Sequence, residues 1–134
     1  MPILNVKVSA KKSTQLSAQI ANILLDLTSR VLGKKPEVTS IAISYIDPDD
    51  WFVAGKSLGK NSIYFDIKIT DETNTKVEKA QYIREAFTAF QQLLGDLHEE
   101  SYIYVEDVRA TAYGYGGLTQ EYRFHHAQSS CTRL

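Results

Sequence analysis

Pro2 directly follows Met1, and so small a second residue normally allows the initiator methionine to be removed. The chain would then begin on a secondary amine. An ordinary α-amino group titrates near pH ~8. Burial in a partly apolar pocket disfavours the ammonium and lowers that value. The result is a base poised to take a proton from a carbon beside a carbonyl. Conventional side-chain chemistry is scarce, with three His and one Cys. His125 and His126 are adjacent, and in an extended tail their side chains point to opposite sides. Together with Cys131 they match no standard zinc spacing, so no metal and no cofactor is expected, and both are expected to be solvated. Cys131 has no base placed beside it by the sequence. Gly114-Tyr115-Gly116-Gly117 lacks the lysine and following helix of a phosphate loop and reads as a hairpin or bulge. Trp51 follows an acidic turn, Asp47 to Asp50. It can close a pocket or stack on a substrate, or simply cover the core.

These groups need elements to position them. Leu4, Val6 and Val8 alternate with Asn5 and Lys7, the period of a half-buried strand. Ser13 to Gly33 reads as a helix, with Leu16, Ile20, Ile23, Leu24, Leu27 and Val31 on one face. Ser13 or Thr14 caps its start, Gly33 supplies a left-handed stop and Pro36 forbids continuation. Thr39 to Ile46 is a second strand. The pattern then recurs. Ile63, Phe65, Ile67 and Ile69 alternate with Tyr64, Asp66 and Lys68, and Thr75-Lys76-Val77-Glu78 has capping-box spacing. Val77, Ala80, Ile83, Phe87, Phe90 and Leu94 form the expected apolar face, up to Gly95, and Ser101 to Val108 is the last strand.

A shift of about 62 positions lays Leu32-Gly33 on Leu94-Gly95, Ile41 and Ile43 on Ile103 and Val105, and Trp51 to Gly55 on Tyr113 to Gly117. The chain therefore reads as a duplicated strand–helix–strand unit. One domain over 1–134 is expected, with unit one about 2–60, unit two about 61–117 and a C-terminal tail 118–134. Each unit has a right-handed crossover between parallel strands. Two such units make an α/β fold: a four-stranded mixed sheet with both helices on one face. Tyr102, Ile103, Tyr104 and Val105 make both faces of the last strand apolar or aromatic, so the bare face is expected to pack on another subunit.

The 134 residues carry 15 Lys+Arg against 16 Asp+Glu. That balance gives no support for nucleic acid or an anionic membrane as partner. No apolar run approaches a membrane span and no signal peptide is evident, which makes a cytoplasmic location the default.

Pro2 opening a strand as Pro-Ile-Leu-Asn-Val-Lys-Val, at the head of a duplicated strand–helix–strand unit, resembles the tautomerase superfamily. That superfamily includes 4-oxalocrotonate tautomerase and macrophage migration inhibitory factor. The likeness is to the long members, in which two units are fused. It spans Pro2 to about Gly117 and is strongest at the N-terminus, in Leu32-Gly33-Lys34-Lys35-Pro36 and in Ser101 to Gly117. The resemblance implies a homotrimer with sites at subunit contacts and Pro2 as the catalytic base. Lys34 matches a lysine that holds a substrate carboxylate or an enolate oxygen, though it also reads as a solvated helix-end cation. Tyr102 matches a tyrosine that reaches the neighbouring subunit's site, and taken alone it reads rather as an aromatic strand residue packed in the subunit contact. Ile67 falls where the family has an apolar wall, and Tyr113 shapes the pocket mouth or packs in a turn.

Departures from the family are specific. Lys12 and Ala42 stand where short tautomerases carry arginines. Lys12 keeps the charge but not the bidentate fork. Ile69-Thr70-Asp71-Glu72-Thr73 lacks the arginines of the related dehalogenases and decarboxylase, which disfavours those reactions. The implied activity is an isomerase, a tautomerase acting on a small keto–enol or unsaturated carboxylic acid. The competing readings are a catalytically silent trimeric binding module and hydratase chemistry through the same amine.

Overall fold

The computed structural model describes residues 2–131. Met1, whose removal is expected from the sequence, lies outside the described residues, as do residues 132–134 of the tail and the side chains of residues 127–131, Cys131 among them. The first unit is β1 (Ile3–Val8), α1 (Thr14–Leu32) and β2 (Ser40–Tyr45), with short 3-10 turns at Pro36–Val38 and Pro48–Asp50. A hairpin of β3 (Phe52–Val53) and β4 (Lys56–Ser57) follows. The second unit is β5 (Ile63–Thr70), α2 (Lys76–Leu94) and β6 (Tyr102–Val108), again followed by a hairpin, β7 (Gly114–Tyr115) and β8 (Leu118–Thr119). A last helix, α3 (Gln120–Cys131), closes the order.

The four long strands form one sheet in the order β2-β1-β5-β6. β1 runs parallel to β2, β5 runs parallel to β6, and the two units meet antiparallel at β1 and β5. Alternation in β1 sends Leu4, Val6 and Val8 inward with no exposed surface. Ile63, Phe65, Ile67 and Ile69 of β5 do the same. Burying each such side chain is worth about 2 kcal/mol. Over this face lie Ile20, Leu24, Leu27 and Val31 of α1 and Tyr82, Ala86 and Phe90 of α2. Both helices therefore cover one face of the sheet, as the duplicated pattern requires.

The helix signals act where the sequence put them. The Ser13 hydroxyl accepts from Leu16 N, and Gly33 takes the left-handed conformation at φ 70°. The Thr75–Glu78 capping box is complete. The inner face of α2 is corrected. Val77 is 73% exposed and Ile83 is exposed, while Tyr82 and Ala86 are inside. The helix turns by about one residue, ~100°, from the expected stripe because the Tyr82 phenol finds a partner in Thr28 of α1 at 2.8 Å.

The repeat includes the hairpins. A shift of 62 carries Thr14–Leu32 onto Lys76–Leu94, Phe52–Val53 onto Gly114–Tyr115 and Lys56–Ser57 onto Leu118–Thr119. Ala54 and Gly55 turn the first hairpin at φ 56° and 74°; Gly116 and Gly117 turn the second at 64° and 80°. Two positive φ values in a two-residue loop are the turn that matches strand twist. The expected extended tail is also corrected. Residues from Gln120 form a helix, anchored by Gln120 N on Tyr113 O at 2.9 Å and Glu121 N on Ala110 O at 3.0 Å. His126 consequently stacks on Tyr122 with ring centroids 3.7 Å apart.

Candidate active site

Pro2 is buried at the entry to β1, and its carbonyl accepts from Ser40 N at 3.1 Å. Ile3 pairs with both Ser40 and Lys68, so the next step outward faces Ile69, near the end of β5. The proline end of the sheet thus gathers the start of β1, the start of β2 and the ends of β5 and β6. The central position of β1 holds it from both sides.

Lys34 reaches this end from the stop of α1. Its backbone N–H bonds Thr28 O at 3.2 Å across the Gly33 cap, and its ammonium donates to Thr73 Oγ1 at 2.8 Å. The side chain is half-buried, and that desolvation holds its pKa below the ordinary lysine value, against the opposing pull of Glu78 and Asp107. Neither carboxylate forms an ion pair with Lys34 among the described residues. Glu78 accepts from Thr75 N at 2.7 Å and from Asn74 Nδ2 at 3.3 Å, while Asp107 takes the ammonium of Lys79. A half-buried cation whose acidic neighbours are engaged elsewhere is a receptor for an anionic oxygen.

Tyr113 is at the same end, its hydroxyl 2.7 Å from Thr70 Oγ1. Ile67 is opposite Leu4 and wholly buried beneath the helices. Its side chain belongs to the core; what it offers near Pro2 is the apolar floor of β5.

The other candidates sit at the opposite end. Lys12 is exposed in the loop after β1. Trp51 lines a groove of about 420 Å³ with Lys7, Ile46, Asp50, Phe52 and Tyr64, on the sheet face away from the helices. Tyr102 pairs with Tyr64, is 62% exposed, and donates its hydroxyl to Glu100 Oε2 at 3.0 Å. That bond holds the Tyr102 pKa above the ordinary phenol value. Lys7, beside Tyr64 in the register, is five residues along β1 from Pro2, a span of about 17 Å. Within one chain the structure therefore brings Pro2, Lys34 and Tyr113 to one end, and Lys12, Trp51 and Tyr102 to the other. Thr70 and Thr73 were missed by sequence reasoning, which saw only the absence of arginine there; hydroxyl residues at the end of a strand and in the turn after it were the available signal.

No protein-family model matches the chain. A curated relative, "Probable tautomerase K2" of Dickeya dadantii (strain 3937), is 32% identical over 63 residues, covering 43% of this chain and 88% of the relative. Among solved structures, Pt0534 inactivated by 2-oxo-3-pentynoate superposes with a TM-score of 0.80 at 12% identity, over 90% of this chain and 98% of that one. The F6 fused 4-OT, an asymmetric trimer, gives 0.78 at 17% identity, over 90% and 98%. A macrophage migration inhibitory factor-like protein from Entamoeba histolytica gives 0.74 at 19% identity, over 88% and 97%. These solved structures share with the chain a fold built from paired strand–helix–strand units. It belongs to the tautomerase family.

Proposed function

We propose that this tautomerase moves a proton between oxygen and carbon of a small keto–enol or unsaturated carboxylic acid, with the Pro2 amine as general base once Met1 is removed. The observation that carries the reading is the half-buried Lys34 ammonium, unpaired with carboxylate among the described residues, at the same end of the sheet as buried Pro2. Desolvation of such an amine at an apolar site favours its neutral form. The amine takes a proton from the substrate and becomes an ammonium. The charge left on the substrate oxygen is met by Lys34, and Pro2 returns the proton to the second position.

The assembly we propose is a homotrimer in which the bare sheet face is covered by neighbouring copies. Support comes from the exposed aromatic pair Tyr102 and Tyr104 on that face and from the trimeric fused 4-OT neighbours. Tyr102, Trp51 and Lys12 of one copy would then approach the proline end of the next, which accounts for their distance from Pro2 within a chain.

The test joins intact mass, turnover and labelling. A chain lacking Met1 should turn over phenylpyruvate with an acidic limb that disappears in Pro2→Ala. 2-Oxo-3-pentynoate, which inactivates Pt0534, should add once, to the N-terminal peptide. Retention of Met1 in an active enzyme, or unchanged turnover in Pro2→Ala, would overturn Pro2 as base.

A further inference from the structure

Three hydroxyl groups continue from Lys34 around the end of β5. Thr73 Oγ1 donates its hydrogen to the Thr70 carbonyl at 2.5 Å. A hydroxyl has one hydrogen, so toward Lys34 the Thr73 oxygen can only accept. Lys34 Nζ lies 2.8 Å away on that side. The same Thr70 places its own hydroxyl 2.7 Å from the Tyr113 phenol. One residue at the end of β5 thus fixes, by its carbonyl and its side chain, the groups that flank the proline end on two sides.

We propose that Thr73 and Thr70 are positioning residues: Thr73 keeps the Lys34 ammonium charged and aimed at the substrate oxygen, and Thr70 holds Tyr113 at the pocket mouth. This rests on the reading of Lys34 as the oxygen-binding cation and deepens it. The chain turns the sequence that lacks arginine into a belt of one cation and neutral hydroxyls.

The direction of the Thr73 bond sets the pH behaviour. An acceptor aimed at an ammonium favours its charged form. The other groups that bear on Lys34 are Glu78 of α2 and Asp107 of β6, the latter shared with Lys79. Both also favour charge on Lys34 and neither is altered by a change at Thr73.

The experiment compares Thr73→Val, Thr73→Ser and Thr70→Val in the assembled enzyme, with phenylpyruvate and a hydroxymuconate, across pH. Thr73 is exposed, so its variants should fold. Thr73→Val should lower kcat/KM for phenylpyruvate by about tenfold, the worth of one such hydrogen bond, and move the alkaline limb to lower pH. Thr73→Ser should restore both. Thr70→Val keeps the carbonyl, so it should raise KM and leave the limb in place. A limb unmoved in Thr73→Val or no rescue by serine would overturn the proposal while Pro2→Ala still abolished activity. Activity surviving in Pro2→Ala would instead overturn the underlying reading of the base.

Discussion

Thr28 Oγ1 and the Tyr82 phenol lie 2.8 Å apart, both side chains wholly buried, where α1 meets α2. The pair is the buried polar point of a contact that the Arg30–Glu85 ion pair also crosses, at 3.1 Å and nearer the surface, and it sets which face of α2 turns inward. Thr28→Val should cost about 1–3 kcal/mol, because it strands a buried phenol. Tyr82→Phe should cost less, since a helical threonine can turn its hydroxyl to the carbonyl four residues back. Urea unfolding at fixed protomer concentration separates the two.

The same pair has a pH signature. Burial pushes the Tyr82 phenol well above its ordinary pKa, against the smaller effect of the Thr28 bond. A raised folded pKa gives stability that is complete below the unfolded value, near ~10, and is lost as pH rises above it. Stability should therefore fall above about pH 10, and Tyr82→Phe should remove that part of the fall. Chemical denaturation from pH 8 to 11 measures it.

Gly33 sits one residue before Lys34 with φ 70°, and a Cβ there would meet nothing within 4 Å. The cost of Gly33→Ala is therefore conformational alone, about 1 kcal/mol. Asn, which tolerates the left-handed region, should recover much of it. Thermal unfolding of the pair checks this.

Lys34 should impose an alkaline limb below the ordinary lysine range, because desolvation lowers its pKa. Lys34→Gln should abolish that limb and raise KM for a carboxylate substrate, leaving the acidic limb of Pro2 in place. Steady-state profiles with phenylpyruvate show whether the two limbs separate.

The proposed trimer makes a prediction about mixtures. Subunits carrying Pro2→Ala and subunits carrying Tyr102→Ala are each defective in a different half of a shared site. Co-refolding them should recover activity above either parent, since some sites then pair an intact Pro2 with an intact Tyr102. No recovery would place both residues' work within one chain.

Much of this was legible in the sequence because it is local. Alternation marked β1 and β5, Ser13 and Gly33 bounded α1, and the Thr75–Glu78 spacing declared its own capping box. The inward face of α2 was not legible, because Val77 and Ile83 fit the apolar period as well as Tyr82 and Ala86 do. Only the partner helix, through Thr28, decides between them. The tail helix was hidden because its hydroxyls, histidines and aromatics show no apolar period, and its start is anchored by backbone bonds to Ala110 and Tyr113. At the site, Lys34 was visible as a lysine after a helix stop. The Thr70–Thr73 belt was not, since it depends on where β5 ends beside Lys34 and Tyr113.

The repeat that builds the sheet has a consequence for how many bases the assembly can hold. A shift of 61 brings Pro2 onto Ile63, the first residue of β5. The Ile63 nitrogen is a peptide amide, and it donates to Ser101 Oγ at 3.2 Å. Joining two units in one chain copied the strands, helices and hairpins but could not copy a chain start. On the proposed reading of Pro2, each pair of units therefore has one end with an ionisable nitrogen and one with an amide. At that second end the chain gathers Trp51, Phe52 and Tyr64 around a groove instead.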